Sequence, residues 1–346
     1  MSVGITPSIV EASFRKSFGR RSILNYNLSV SAIRKMKLAE YYKDNVTIID
    51  AYPGNGIWSA ALHNEIKPAN HVLLEPLVGA QKFLKQFIDP SKNTLKLWPE
   101  DPFRWATYEN IVTEKVITPI VHPRTEINPH LLFTCNLSTI QGEQLCVQFL
   151  NCVMNRNWIQ KYGRVRMLLW IRYSTLVKLL ATPGSKRRGR VSVQTEACSD
   201  TRLIIDNKMA DLTLDKQKYE PLEVMTKPND IFPTKAPIAL IQVDPLEADI
   251  EQLDYFEYVI RTLFILKTRP LKEGLAILGP GALDDMGPSL RPLLNKKPAD
   301  MTLEEFFLVT KAFGAWPFKP EILHDFYAES DYSLHATSVS NSSGRT

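Results

Sequence analysis

Ile49-Asp50-Ala51-Tyr52-Pro53-Gly54-Asn55-Gly56 joins a strand-like run to a helix-like one through a glycine-containing turn. It closes an apolar, β-branched run, Val46-Thr47-Ile48-Ile49-Asp50, that reads as a strand, and it opens a segment near 56–66 with helical apolar spacing. Glycines between a strand and a helix let the backbone approach a ligand closely, and the helix start supplies N–H donors. The next apolar run, Val72-Leu73-Leu74-Glu75, ends on an acid 25 residues after Asp50, near the interval at which a carboxylate meets ribose hydroxyls. Two readings of Gly54 and Gly56 stand at this point: a nucleoside pocket or its remnant, and a plain tight turn.

Outward from this turn, further strand-like runs occur at Thr94–Leu97, Leu131–Cys135, Val165–Trp170 and Pro237–Ile241. Helical patterns lie between them near 77–88, 102–113, 143–160 and 173–181. Strand alternating with helix implies βαβ units and a mostly parallel sheet, an α/β Rossmann-like class. Near residue 250 the alternation stops. Segments 252–266 and 302–314 read as helices, Gly279-Pro280-Gly281 as a loop between them, and Trp316-Pro317-Phe318-Lys319-Pro320 as a break before a short helix. The expected division is an α/β domain over 1–250 with a basic N-terminal arm (1–27), a small helical domain over 251–329, and a flexible Ser-, Asn- and Thr-rich tail over 330–346.

With 346 residues, 44% hydrophobic and 23% charged, the composition is that of an ordinary globular protein, and no apolar run is long enough to span a bilayer. The net charge of +5 permits a nucleic-acid partner without demanding one. Cys135, Cys146, Cys152 and Cys198 form no C-x-x-C pair and no metal-ligand spacing with His; buried free thiols in a reducing compartment, and no metal, are expected. The first 38 residues carry Arg15, Lys16, Arg20, Arg21, Arg34, Lys35 and Lys37 against the single acid Glu11. Arg- and Ser-rich, acid-poor composition suits a mitochondrial targeting segment, and equally a basic arm of the mature fold.

Several of these motifs resemble the ribosomal-RNA adenine-N6 dimethyltransferase family over most of residues 14–245. Phe18-Gly19-Arg20-Arg21-Ser22-Ile23-Leu24 resembles its N-terminal Gly-Gln-aromatic-Leu motif. Asp50 through Gly56 resembles its glycine-rich cofactor turn. Glu75 matches its ribose-binding acid and Asp101 the acid that holds the cofactor's adenine. Asn136-Leu137-Ser138-Thr139 stands where it has a catalytic Asn-Leu-Pro-aromatic motif. Leu180 through Val193, containing Pro183-Gly184-Ser185-Lys186-Arg187-Arg188-Gly189-Arg190, resembles a segment that lines its RNA-facing cleft. The resemblance implies a class I S-adenosylmethionine (SAM) methyltransferase fold, with Ile23, Tyr52, Gly54, Gly56, Glu75, Asp101 and Asn136 around the cofactor position.

Ala51 to Ile57, Met167 to Trp170 and Trp316 to Pro320 are similar, more narrowly, to the mitochondrial transcription factor B branch of budding yeasts, over nearly the whole chain. That similarity implies a matrix protein, monomeric in isolation. It would join the single-subunit, phage-like mitochondrial RNA polymerase, melt promoter DNA, bind the non-template strand and help select the start site.

Two departures bear on chemistry. The first glycine of the family's cofactor turn is Tyr52 here, whose phenol either occupies the pocket or points into the core. The proline and aromatic of the catalytic motif are Ser138 and Thr139, so a flipped adenine has no ring to stack on. The leading expectation is therefore a non-catalytic initiation factor that requires no cofactor, with SAM binding left possible. An active rRNA adenine dimethyltransferase and a structural RNA-binding protein of the mitochondrial ribosome are the alternatives. For nucleic-acid contact, Lys186, Arg187, Arg188 and Arg190 form the densest basic cluster, suited to phosphates. Phe103, Trp105 and Tyr108 follow Asp101 and are suited to stacking unpaired bases. A solvated loop and ordinary helix packing are the respective alternatives.

Overall fold

The computed structural model describes residues 19–42, 45–88, 94–208, 219–234 and 237–320. Contacts divide the chain into two units, Met1–Asp249 and Ile250–Thr346. The first eighteen residues of the basic arm, Phe18 of the N-terminal motif, the tail from 330 and the short helix expected after Pro320 lie outside the described residues.

The first unit is built on strands β1 (Ser22–Ile23), β2 (Thr47–Ala51), β3 (Asn70–Leu74), β4 (Leu95–Trp98), β5 (Ile127–Leu137), β6 (Arg164–Arg172), β7 (Ser199–Asn207), β8 (Glu223–Met225), β9 (Ile231–Phe232) and β10 (Ile238–Pro245). Eight form one sheet in the order β4-β3-β2-β5-β6-β10-β7-β8, and β1 pairs with β9 as a separate ribbon. Neighbours run parallel except at β6/β10 and β10/β7, where β10 enters antiparallel. The sheet is mostly parallel and Rossmann-like, as expected.

Helices α1 (Tyr26–Lys35), α2 (Leu38–Tyr41), α3 (Ile57–Ile66), α4 (Val78–Leu84), α5 (Trp105–Thr113), α6 (Ile140–Met154), α7 (Tyr173–Leu179) and α8 (Arg190–Cys198) complete this unit. Strand side chains alternate between the two faces. Ile48, Leu132, Leu168 and Leu240 join a core cluster with Ala32, Ile33, Leu38, Ile57 and Leu62 from α1, α2 and α3. Phe133, one residue on from Leu132, instead meets Phe149 of α6, Tyr108 of α5 and Trp158. Burial on both faces explains why β2 lacks a strict apolar–polar alternation.

Two expectations needed revision, and two elements, α8 and β7, carried no expectation. The helix expected over 143–160 ends at Met154, and a 3-10 turn follows at Trp158–Tyr162; Arg156 and Trp158 sit at φ +51° and +52°, which breaks the helix. β5 begins at Ile127, because its polar start, Asn128-Pro129-His130, hides the strand pattern. α8 and β7 carry little apolar periodicity: α8 buries Ser192, Gln194 and Thr195, and the Ser192 hydroxyl accepts from Gly189 N (3.0 Å) and donates to Gly189 O (2.7 Å).

In the second unit, α9 (Leu253–Leu263), α10 (Leu271–Leu278), α11 (Ala282–Met286) and α12 (Leu303–Ala315) bury Phe256, Leu263, Leu275, Phe306, Val309 and Phe313. Gly274 permits the close approach of α10 to α9, since a Cβ there would lie 2.7 Å from Leu263 Cδ2. Thr302 and Glu305 close the start of α12 with a reciprocal capping box.

Candidate functional site

β2 is flanked by β3 on one side and β5 on the other: the chain winds outward from β2 through β3 to β4 and then crosses back to β5, so the strand order reverses beside β2. In open α/β sheets the crevice at the carboxyl ends of such a pair is where ligands sit. The turn after β2 reaches it with Tyr52, Gly54 and Gly56 at φ +56°, +60° and +75°. The glycines at 54 and 56 adopt this left-handed conformation without strain. A Cβ on Gly56 would also lie 2.8 Å from Leu84 Cδ2. Tyr52 adopts it as a bulky residue at a position where the dimethyltransferase-like turn has glycine.

The Tyr52 side chain occupies this crevice. It is 4% exposed, and its hydroxyl donates to the Asp101 carboxylate. The Arg20 guanidinium lies over the ring, 3.3 Å from its centroid, and Arg20 Nη1 donates to Asn136 O at 3.3 Å. Burial, and then the bond to Asp101, pushes the phenol pKa up, so it remains a donor. The cavity bordered by Tyr52, Asp50, Cys135 and Asn136 holds about 10 Å³, room for one water at most. Glu75 is buried too, and accepts from Leu77 N at 3.0 Å; burial pushes its pKa up to about 6. The residues present do not fit SAM: a ring fills the crevice, and both candidate ligand acids already accept hydrogen bonds from the chain. Ile23 is 2% exposed, pairs with Ile231 and accepts from Asn55 Nδ2 at 3.2 Å, which makes it part of the core.

The Asn136–Thr139 segment is likewise engaged. Asn136 Nδ2 donates to Arg21 O (2.9 Å), and its Oδ1 accepts from Ser138 N (3.1 Å). Ser138 Oγ accepts from Arg21 N (2.8 Å) and donates to Arg21 O (2.9 Å), while Arg21 Nη1 donates to Ser138 O (2.9 Å). Leu137 is buried, and Thr139 Oγ1 caps α6 by accepting from Gly142 N (3.0 Å). Arg20 and Arg21 are thus principal residues of this site, although neither stands among the candidate site residues of the sequence. Their one signal was membership of the Phe18–Leu24 motif.

Around the crevice the surface differs. Phe103 and Trp105 are each 41% exposed, on the loop after β4 and at the start of α5. Trp105 rests edge-on against Trp158, ring centroids 5.6 Å apart. Tyr108 is a correction: it is 6% exposed, its hydroxyl donates to Pro102 O (3.0 Å), and its ring packs on Trp158 and Phe133, so it offers no face to a base. Behind Trp105, residues including Trp158, Lys161 and Tyr162 line a cavity of about 360 Å³ that the sequence did not announce.

In the basic loop before α8, Lys186 and Arg187 are exposed, and Arg190, the first residue of α8, is half-buried. Arg188 is the second correction: its side chain is fully buried, donating to both Glu196 carboxylate oxygens (2.9 and 3.0 Å) and to Ala181 O (2.9 Å). A buried guanidinium requires such partners, and in this position Arg188 cannot meet a phosphate.

The ribosomal RNA adenine dimethylase family model matches residues 11–311. The chain belongs to this family. Within it, the chain is 37% identical over 335 residues to mitochondrial transcription factor 1 of Saccharomyces cerevisiae, covering 94% of this chain and 97% of that protein. The Lachancea kluyveri protein of the same name is 33% identical, with 94% and 98% covered. Mitochondrial dimethyladenosine transferase 1 of Bos taurus is 28% identical over 47% of each chain. Among solved structures, a dimethyladenosine transferase from Plasmodium falciparum superposes with a TM-score of 0.58 at 11% identity, covering 84% of this chain and 96% of that one; it shares the fold. The adenine dimethylase family thus provides the scaffold, and the crevice of this member is filled from within. No helix among the described residues is long and apolar enough to cross a membrane.

Proposed function

We propose that this protein is a mitochondrial transcription initiation factor built on a methyltransferase scaffold and without methyltransferase activity. The observation that carries the reading is the filled crevice: Tyr52 and Arg20 stand where a cofactor would, and Asn136 and Ser138 are hydrogen-bonded to Arg21. Similarity to mitochondrial transcription factor 1 along nearly the whole chain supports the role and the mitochondrial location.

In this reading the protein joins a single-subunit, phage-like mitochondrial RNA polymerase in the matrix as a monomer, and opens the promoter near the start site. Opening needs capture of an unpaired strand, because the duplex otherwise recloses. Exposed Phe103 and Trp105 stack bases of the non-template strand, each contributing roughly 1–3 kcal/mol. Lys186, Arg187 and Arg190 hold phosphates.

Run-off transcription with the cognate polymerase tests this, on an intact duplex promoter and on the same promoter pre-melted at the start site. The expected result is dependence on the protein for the duplex and little dependence for the bubble. Equal transcription with and without the protein on both templates overturns the reading. Transfer of labelled methyl from SAM to small-subunit rRNA would replace it with the enzyme.

A further inference from the structure

Filling the crevice has a mechanical consequence. Asp101 lies in the loop that leads from β4 to Phe103 and Trp105. Its Oδ1 accepts from two donors, the Tyr52 hydroxyl and Phe103 N (3.0 Å). Tyr52 is fixed in turn: its own N–H donates to Leu74 O (2.9 Å), and Arg20 covers its ring. From the helix side, Thr107 Oγ1 donates to Asp101 O (2.8 Å) and Tyr108 hydroxyl to Pro102 O (3.0 Å). One carboxylate therefore ties the backbone of the aromatic loop to the turn after β2. Exposed rings on a loop lose conformational freedom when a base stacks on them, and a loop already fixed has less to lose.

We infer that Tyr52 and Asp101 are positioning residues for Phe103 and Trp105, bracing the aromatic loop in its base-accepting shape before DNA arrives. This rests on the proposal that Phe103 and Trp105 stack unpaired bases. The brace turns an abandoned cofactor crevice into part of the strand-capture apparatus.

The test uses the full chain with its polymerase and a duplex promoter carrying 2-aminopurine in the non-template strand at the start site, whose fluorescence reports unstacking. Tyr52→Phe keeps the ring under Arg20 and removes only the hydroxyl. The expected result is a three- to tenfold lower opening equilibrium, with thermal midpoint, polymerase binding and transcription from the pre-melted bubble close to wild type. Asp101→Ala removes the shared acceptor and should lower opening at least as much; it decides the question should Tyr52→Phe fold poorly. Wild-type opening in both variants overturns the brace. The double variant Phe103→Ala/Trp105→Ala separates the two ideas. If it opens the promoter normally, base capture by these rings is wrong and the brace falls with it. If it fails to open while Tyr52→Phe and Asp101→Ala both open normally, only the brace is wrong.

Discussion

The turn after β2 and the basic loop before α8 both carry residues resembling those of an RNA-modifying enzyme, and the structure treats them differently. In the turn, the side chains in the ligand-facing positions are consumed internally: Tyr52 by Asp101, Glu75 by Leu77 N, Asn136 by Arg21 and Ser138. In the loop, one cation of the cluster is fully buried and others keep their solvent exposure. Arg188 is buried against Glu196, while Lys186 and Arg187 face solvent. Loss of a cofactor site therefore need not silence the surface around it. The interior can be locked while the rim remains available, and a locked interior makes the rim more rigid.

Substitution of adjacent arginines sharpens this contrast most. Arg188→Ala removes the buried half of an ion pair, and losses of 3–5 kcal/mol are usual for such changes. Glu196 retains 22% side-chain exposure and can partly rehydrate, so the expected loss is near the lower figure, about 3 kcal/mol. For a unit of this size that is a fall in thermal midpoint of roughly 6–12 °C. Arg187→Ala should move the midpoint by less than about 2 °C, as surface changes do. Calorimetry of both variants checks it, and equal midpoints would erase the distinction between structural and surface arginines in this loop.

That pair also marks how far the sequence reached. Features set by local spacing were legible: the strand before Tyr52, the glycine turn and the helix from Ile57 depend on residues close together in the chain, and the acid at 75 closes a short apolar run of its own. The same holds for the exposed pair Phe103 and Trp105, because a loop after a strand faces outward. What was missed depends on contacts across the fold. Arg21 meets Ser138 117 positions away, and Tyr52 meets Asp101 49 positions away. Arg188 was missed for a nearer reason: Glu196 stands only eight positions on, but α8, which carries it back to the loop, buries polar residues and gives no apolar pattern to place it. Tyr108 looked like a third rim aromatic because it shares the loop's composition, yet one helical turn after Trp105 it points to Phe133.

The crevice makes a prediction of intermediate size. Burial holds the Glu75 carboxyl at about 6 against an ordinary value of 4.5. Between those pH values the folded chain keeps a proton that the unfolded chain releases, so this group's contribution to stability falls as pH rises through the window and stays lower at neutral pH. The cost at pH 7 is roughly 2 kcal/mol. Glu75→Gln keeps an acceptor for Leu77 N and removes the charge. Its expected effect is a higher thermal midpoint at pH 7, with the advantage over wild type shrinking toward pH 4.5. An advantage that does not change with pH would mean the carboxyl is not held protonated by burial, and that the crevice is wetter than its packing indicates.

The smallest expected effect concerns the surface side of the comparison. Each phosphate neutralised on a single strand contributes about 0.7 to the slope of log affinity against log salt. If Arg187 holds one phosphate of the opened strand, Arg187→Ala should flatten that slope by about 0.7 and weaken binding similarly across sequences. The measurement is single-strand affinity of the polymerase complex at several salt concentrations. Arg188→Met, which removes this charge and keeps an apolar stem, serves as the control at a temperature where it stays folded, since a residue buried against Glu196 contributes nothing to the slope whatever its cost in stability. A slope unchanged by Arg187→Ala would make the loop a solvated charged surface, and base stacking at Phe103 and Trp105 would then have to retain the strand alone. A slope that also falls in Arg188→Met would mean the loop rearranges on binding and releases Arg188 from Glu196, which would dissolve the contrast between the buried and the exposed cations.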